Sequence, residues 1–169
     1  MGRVLISLVA VTVASPVTSL LLWGGVDAGG QPYLEPAFVI DAEPALPESE
    51  GAYEVSGRSV SGETLFSLRF DMPKVADGDG SSGFVFILPV QSGWAGNLAS
   101  ITLSGPGGTA TLNEDTDRPV TIVRNRRTGQ IRGIFRDSLG SAEAADRLAA
   151  LAAEPDIVVL TSRGIPDAW

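Results

Sequence analysis

The sequence predicts a mainly β fold, an antiparallel β-sandwich of the Ig-like or fibronectin-like kind with one short C-terminal α-helix. Short runs rich in valine, isoleucine, leucine and phenylalanine recur about every ten residues, which is typical of sandwiches. The chain of 169 residues contains 20 glycines and 11 prolines, many of them between these runs. A single Ala-rich stretch, residues 141–154, carries the signals of a helix.

The first half of the chain predicts a hairpin followed by two further strand regions. "LLLWGGVDAGGQPYLEPAFVI" contains two apolar runs separated by a Gly/Asp/Pro turn. The Pro- and Glu-rich residues 41–51 predict an exposed connection. A strand with Leu65, Leu68 and Phe70 comes next, and the loop "VADGDGSSG" then leads into the strand "FVFILPV".

The stretch "LSGPGGTATL" raises the choice between a phosphate-binding loop and a tight corner between two strands. A nucleotide-binding P-loop has a lysine after its last glycine and opens a helix. Here Thr109 follows Gly108, and the acidic "NEDTD" lies just beyond. We therefore predict a hairpin corner in which the glycines adopt positive φ and Pro106 restricts φ at its own position.

A second hairpin, "RPVTIVRNRRTGQIRGIFRD", concentrates the positive charge of the chain. Its residues 118–136 hold six of the 12 basic residues. Charges on an edge strand discourage pairing with other sheets, which is one interpretation. The other is that Arg126, Arg127 and Arg132 dock against an acidic partner surface, such as a protease domain or another protein.

Residues 141–154, "SAEAADRLAALAAE", predict one surface helix. Ser141 is a favourable N-cap, Glu143 lies in the first turn, and Pro155 follows the end. Leu148 and Leu151 form a narrow apolar stripe. The segment "DIVVLTSRGIP" then predicts a last strand.

The chain has no histidine and no cysteine. A Ser-His-Asp triad, an HExxH zinc helix, an imidazole base and a thiolate metal site are therefore excluded. The formal charge of −8 argues against nucleic acid as a partner. We expect no enzymatic activity, and a hydrolase that used carboxylates alone is the catalytic alternative.

The loop "DGDGSSG" contains a candidate calcium site at Asp77 and Asp79. A complete calcium loop has a bidentate glutamate at its twelfth position, whereas counting from Asp77 reaches Leu88. Carboxylates of residues 114–117 would have to complete the site. Otherwise the loop is a solvated tip, and we expect no other cofactor.

The tryptophans and tyrosines have two interpretations, a sugar-stacking platform or a buried core. The set consists of Trp23, Trp94, Trp169, Tyr33 and Tyr53. Trp94 lies in the polar stretch "QSGWAGN", so we expect it to be the most exposed of them.

The N-terminal residues 4–23 contain no charge. Residues 1–16 are typical of a short secretory leader, or they are the remnant of a preceding strand, and residues 17–169 form the sandwich domain. A run of about 20 apolar residues is also long enough to span a membrane. We expect a secreted or extracytoplasmic protein, with a membrane anchor over residues 4–23 as the alternative.

Six segments of the chain form an ordered series of strands and turns: "LLLWGGVDAGGQPYLEPAFVIDAEPALP", "LFSLRFDMP", "FVFILPV", "ITLSGPGG", "RTGQIRGIFRD" and "SRGIPDA". Together they resemble the C-terminal, non-catalytic, β-rich region of secreted bacterial zinc metallopeptidases of the metzincin-like, HExxH type. The zinc ligands and the catalytic glutamate of that family have no counterpart in this chain. The resemblance therefore implies an accessory domain that packs against a protease domain or contacts a protein or glycan surface.

Overall fold

A computed structural model describes residues 17–48, 50–73, 79–136, 141–166 and 169. It confirms the mainly β prediction, since strands make up 50% of the structure and helix 8%. The elements in chain order are β1 (Thr18–Val26), β2 (Pro32–Leu34), β3 (Phe38–Asp41), β4 (Tyr53–Ser59), β5 (Thr64–Phe70), β6 (Ser82–Pro89), β7 (Leu98–Gly105), β8 (Gly108–Asn113), β9 (Val120–Asn125), β10 (Ile131–Arg136), α1 (Ala142–Ala152) and β11 (Ile157–Ser162).

The strands form three antiparallel sheets. In sheet A, the central strand β1 pairs with β6 on one side and with β2 and β3 on the other. Sheet B has the order β5-β4-β7-β8, and sheet C has the order β10-β9-β11. Sheets A and B enclose the larger core, and sheet C covers the opposite face of sheet A.

Strand β1 is buried on both of its faces. Leu20 and Leu22 contribute to the core shared with sheet B, whereas Leu21 packs with residues of β3 and sheet C. Successive side chains of a strand point to opposite faces, so a strand between two layers must be apolar at nearly every position. This position explains the continuous "LLLW" run, which an alternating, half-exposed strand would not contain.

The core between sheets A and B is rich in aromatic side chains. Phe70 lies 4.8 Å from both Phe84 and Phe86, measured between ring centroids. Trp94 packs 5.1 Å from Phe66 and is only 3% exposed. The expectation that Trp94 is the most exposed aromatic residue is therefore wrong: its polar neighbours lie at the surface of a turn, while the indole ring fills the end of the core.

Sheet C is attached to sheet A by apolar contacts and by arginine side chains. Val120 and Ile122 of β9 pack against Leu21. Arg124 is 8% exposed, and its Nη2 donates to the carbonyl oxygen of Asp41 at 2.7 Å.

Two further arginines of the basic hairpin are exposed but bond back to residues at the end of β2. Arg136 donates to Glu35 at 2.9 Å and lies 5.2 Å above the ring of Trp23. Arg118 donates to the carbonyl oxygen of Leu34. Three of the six arginines of residues 118–136 therefore bond to other parts of the fold, and of these three Arg124 is buried while Arg118 and Arg136 stay exposed.

The predicted helix is confirmed as α1. The Ser141 side chain caps it by accepting a hydrogen bond from the Ala144 N–H at 3.2 Å. None of its residues is fully buried, and Leu151 lies beside Gly133 on the outer side of sheet C. The helix therefore lies on the surface and contacts sheet C through few apolar side chains, as its narrow apolar stripe predicts.

Residues 1–16, which carry the leader and remnant-strand interpretations, lie outside the described residues. Of the uncharged residues 4–23, the structure describes those from 17 onward, and residues 18–23 belong to strand β1. Across the part of the chain that the structure describes, no helix is long and apolar enough to cross a membrane.

Candidate functional site

The stretch "LSGPGGTATL" forms a tight hairpin corner between β7 and β8, as predicted. Gly105 pairs with Gly108, which leaves Pro106 and Gly107 as the turn. Gly108 has a φ of 128°, so the expected positive φ is confirmed there, but it is wrong for Gly105 and Gly107. Glycine is required at position 107 for a steric reason. A Cβ atom there would lie 1.9 Å from the carbonyl oxygen of Gly30, so no side chain fits.

The candidate calcium site is only partly within the described structure. Asp77 lies outside the described residues. Asp79 Oδ1 accepts hydrogen bonds from the Ser81 N–H at 2.9 Å and from the Ser81 hydroxyl at 2.5 Å, which lower the pKa of Asp79. Within the described ranges, no group of three His, Cys, Asp or Glu residues is placed to hold a metal ion. The calcium site therefore stays a prediction.

The three arginines predicted to dock a partner are all exposed, at or near the β9–β10 turn. Arg127 lies 3.5 Å from Asp156, and Arg132 lies 3.5 Å from Glu154. The Arg126 side chain is exposed, while its N–H donates to the Asp156 carbonyl at 2.7 Å. Exposed ion pairs of this kind contribute little stability, so an acidic partner could replace them at low cost. Docking at this edge stays a prediction.

A groove of mixed polarity lies at the end of sheet B, where β4, β7 and β8 meet the segment that follows β11. Its volume is about 730 Å³. Val60 and Leu98 contribute apolar wall, Glu114 and Arg163 contribute charge, and Trp169 contributes an aromatic ring. A concave surface of this size with apolar walls and a few polar groups is the usual form of a ligand site.

Hydrogen bonds hold the two polar rims of the groove in place. In the loop after β8, the Asn113 N–H donates to Thr116 Oγ1 at 3.0 Å, and Thr116 Oγ1 donates to Asn113 Oδ1 at 3.1 Å. After β11, the Gly164 carbonyl accepts from the Ala37 N–H at 2.9 Å. A Cβ atom on Gly164 would lie 2.8 Å from Thr116 Cβ, so glycine allows the two rims to approach each other.

An ion pair joins a residue of one rim to a residue of the other. The Arg163 Nη1 donates to Asp117 Oδ1, and the two side chains are 62% and 73% exposed. The nearby Glu114 is exposed as well. The groove therefore presents a guanidinium donor and carboxylate acceptors to solvent.

Trp169 links this groove to a second depression. Its side chain is half-buried and packs against the core between sheets A and B. The second depression, about 280 Å³ in volume, shares Pro166 and Trp169 with the first. It is also lined by Ser162, whose hydroxyl is buried without a hydrogen-bond partner in the described part of the chain.

The aromatic platform suggested by the sequence does not form as a set. Trp94 is in the core, and Trp23 faces sheet C with its Nε1 donating to the Pro36 carbonyl at 2.7 Å. Only Trp169 of the three tryptophans lines the groove. Sequence reasoning missed Arg163, because no local motif marks a residue whose partner Asp117 is 46 positions away.

Comparison with known proteins finds no matching family model, no matching curated protein and no matching solved structure. The resemblance to metallopeptidase tails therefore has no support from relatives.

Proposed function

We propose that this chain is a non-catalytic binding module of a secreted protein and that the groove beside Trp169 is its ligand site. The observation that carries the proposal is the combination of apolar walls, a half-buried tryptophan and a small number of polar side chains in a cleft of about 730 Å³. Hydrogen-bonded rims reduce the entropy lost when a ligand orders the site, which favours binding.

The residues of the groove support binding better than catalysis. The chain has no histidine or cysteine to act as a base or nucleophile at neutral pH. Glu114 and Asp117 are exposed, and Asp117 is paired with Arg163. A carboxylic acid that donates a proton in a glycosidase needs a site shielded from water. The carboxylates are therefore proposed as hydrogen-bond acceptors.

A parallel screen tests the proposal without assuming the ligand class. Wild-type protein and Trp169→Ala are applied to a glycan array and to a phage-displayed peptide library. We expect wild-type protein to bind ligands of one class, Trp169→Ala to lose that binding, and mass spectrometry to recover the ligand unchanged. Cleaved ligand, or the absence of any Trp169-dependent binding in both screens, would contradict the proposal.

Secretion is proposed from the sequence of residues 1–16, in which Arg3 precedes an apolar run. N-terminal sequencing of the exported protein tests it. A new terminus near residue 16 is the expected result, whereas an intact Met1 in the exported protein would contradict a cleaved leader.

A further inference from the structure

We infer that the groove binds an uncharged oligosaccharide with one sugar ring packed against Trp169, an inference that rests on the proposed function. Trp169 is the aromatic residue that lines the groove, and it also lines the second depression. An indole ring offers a large rigid apolar surface and loses little entropy when a ligand packs on it. The apolar C–H face of a sugar ring fits such a surface.

The polar groups of the groove match the hydroxyl groups of a sugar. A hydroxyl both donates and accepts hydrogen bonds, so it can use donors and acceptors placed side by side. Arg163 supplies donors, and Asp117 and Glu114 supply acceptors, all of them exposed. Because the Arg163 and Asp117 side chains are exposed, each has further hydrogen-bond donors or acceptors that a ligand can reach.

The charge of the groove separates neutral from acidic saccharides. Glu114 and Asp117 outnumber Arg163 in its lining, and the exposed Asp115 lies beside them. The whole chain also carries a formal charge of −8. A sulfated or uronic-acid saccharide would meet like charge at this surface, which lowers its affinity.

The main-chain groups of the rims favour a saccharide over an extended peptide. A peptide that adds to a sheet edge needs free N–H and carbonyl groups. At the groove, Thr116 N–H already donates to the Asn113 carbonyl at 3.1 Å, and Arg118 N–H donates to the Arg163 carbonyl at 3.1 Å. These two main-chain donors are therefore already used and cannot pair with a peptide.

The two depressions predict a ligand longer than one sugar. They have volumes of about 730 and 280 Å³ and meet at Pro166 and Trp169. A chain of several rings can occupy the larger depression and continue past the indole. We therefore expect affinity to increase from a disaccharide to a hexasaccharide.

Isothermal titration calorimetry with cellohexaose, chitohexaose, mannohexaose and hexagalacturonate tests this inference. At least one neutral hexasaccharide should bind with a Kd below about 1 mM, and hexagalacturonate should bind at least tenfold more weakly. Trp169→Ala should weaken the neutral interaction by about tenfold, whereas Trp169→Phe should retain most of it because a flat ring remains. Tyr33→Ala, which removes an exposed aromatic side chain outside the groove, is the matched control and should have no effect.

A second pair of variants keeps the test valid if Trp169→Ala does not fold. Arg163→Gln breaks the exposed ion pair with Asp117, and Arg127→Gln breaks a comparable exposed ion pair with Asp156 on sheet C. We expect Arg163→Gln to weaken saccharide binding about three- to tenfold, the loss of one hydrogen bond, and Arg127→Gln to leave it unchanged.

Three results would overturn the inference: no binding by any neutral hexasaccharide, equal or tighter binding of hexagalacturonate, or equal effects of the groove variants and their controls. If Trp169-dependent binding appears only in the peptide screen, the saccharide inference fails and the binding module stands. If it appears in neither screen, both fail.

Discussion

Replacing Arg124 by methionine removes a buried cation that joins sheet C to the rest of the protein. The Arg124 Nη2 donates to the Asp41 carbonyl at 2.7 Å, and its Nε donates to the Gly129 carbonyl at 3.2 Å. The first bond connects β9 to β3, and the second closes the β9–β10 turn. Methionine keeps most of the apolar stem but cannot donate to either oxygen.

The size of the effect follows from these two bonds. A hydrogen bond from a charged donor contributes about 1.5–3 kcal/mol. Two terms reduce the loss: Asp41 is exposed, so water can reach its carbonyl, and the variant no longer buries a guanidinium group. We therefore expect the free energy of unfolding to fall by about 2 kcal/mol, which corresponds to a Tm lower by about 4–8 °C for a domain of this size.

Urea unfolding followed by circular dichroism, together with a thermal scan, measures this change. Arg126→Met is the matched control, because Arg126 is two positions away but exposed, and its effect should stay within about 0.5 kcal/mol. A loss below about 0.5 kcal/mol in Arg124→Met would refute the reasoning, since the buried arginine would then not be holding sheet C in place.

Three further substitutions test local features of the structure. Gly107→Ala should lower the free energy of unfolding by about 1–3 kcal/mol, because its Cβ would collide with the Gly30 carbonyl; an unchanged urea midpoint would contradict the tight corner. Trp94→Ala should cost about 3–5 kcal/mol in the same assay, since the indole is buried, and a change under about 1 kcal/mol would argue for an exposed ring. Ser81→Ala should raise the pKa of Asp79, which is measured by NMR of its carboxyl carbon. Both hydrogen bonds from Ser81 favour the ionised carboxylate, and the substitution removes the bond from the hydroxyl. Because the pKa of Asp79 is lowered in the folded state, its ionised form stabilises the fold above the unfolded-state pKa. This stabilisation is lost as the pH falls through the folded-state pKa, so the loss of stability in acid should be smaller in the variant.

Features that depend on neighbours in the sequence were predictable. The β7–β8 corner follows from Pro106 and its adjacent glycines, and the N-cap of α1 follows from Ser141, because turns and caps are decided within a few residues. The mainly β class follows in the same way from repeated short apolar runs. These local patterns correctly predicted a β-sandwich with one short helix.

Residues of similar local context nevertheless have different roles in the fold. Arg124 is buried between layers, while Arg126, two positions away, is exposed. Trp94 fills the core despite its polar neighbours. Burial depends on which sheet covers a side chain, and a single sequence does not record that arrangement.

The amino-acid order alone was sufficient for the strand-rich class, the turns, the helix and the exclusion of histidine and thiol chemistry. The three-layer arrangement of the sheets and the groove beside Trp169 required the folded chain. Asp117 and Arg163 illustrate the reason: they meet across 46 positions because β9 and β11 pair side by side. Long-range pairing of this kind is determined by the packing of whole sheets, which local propensity does not specify.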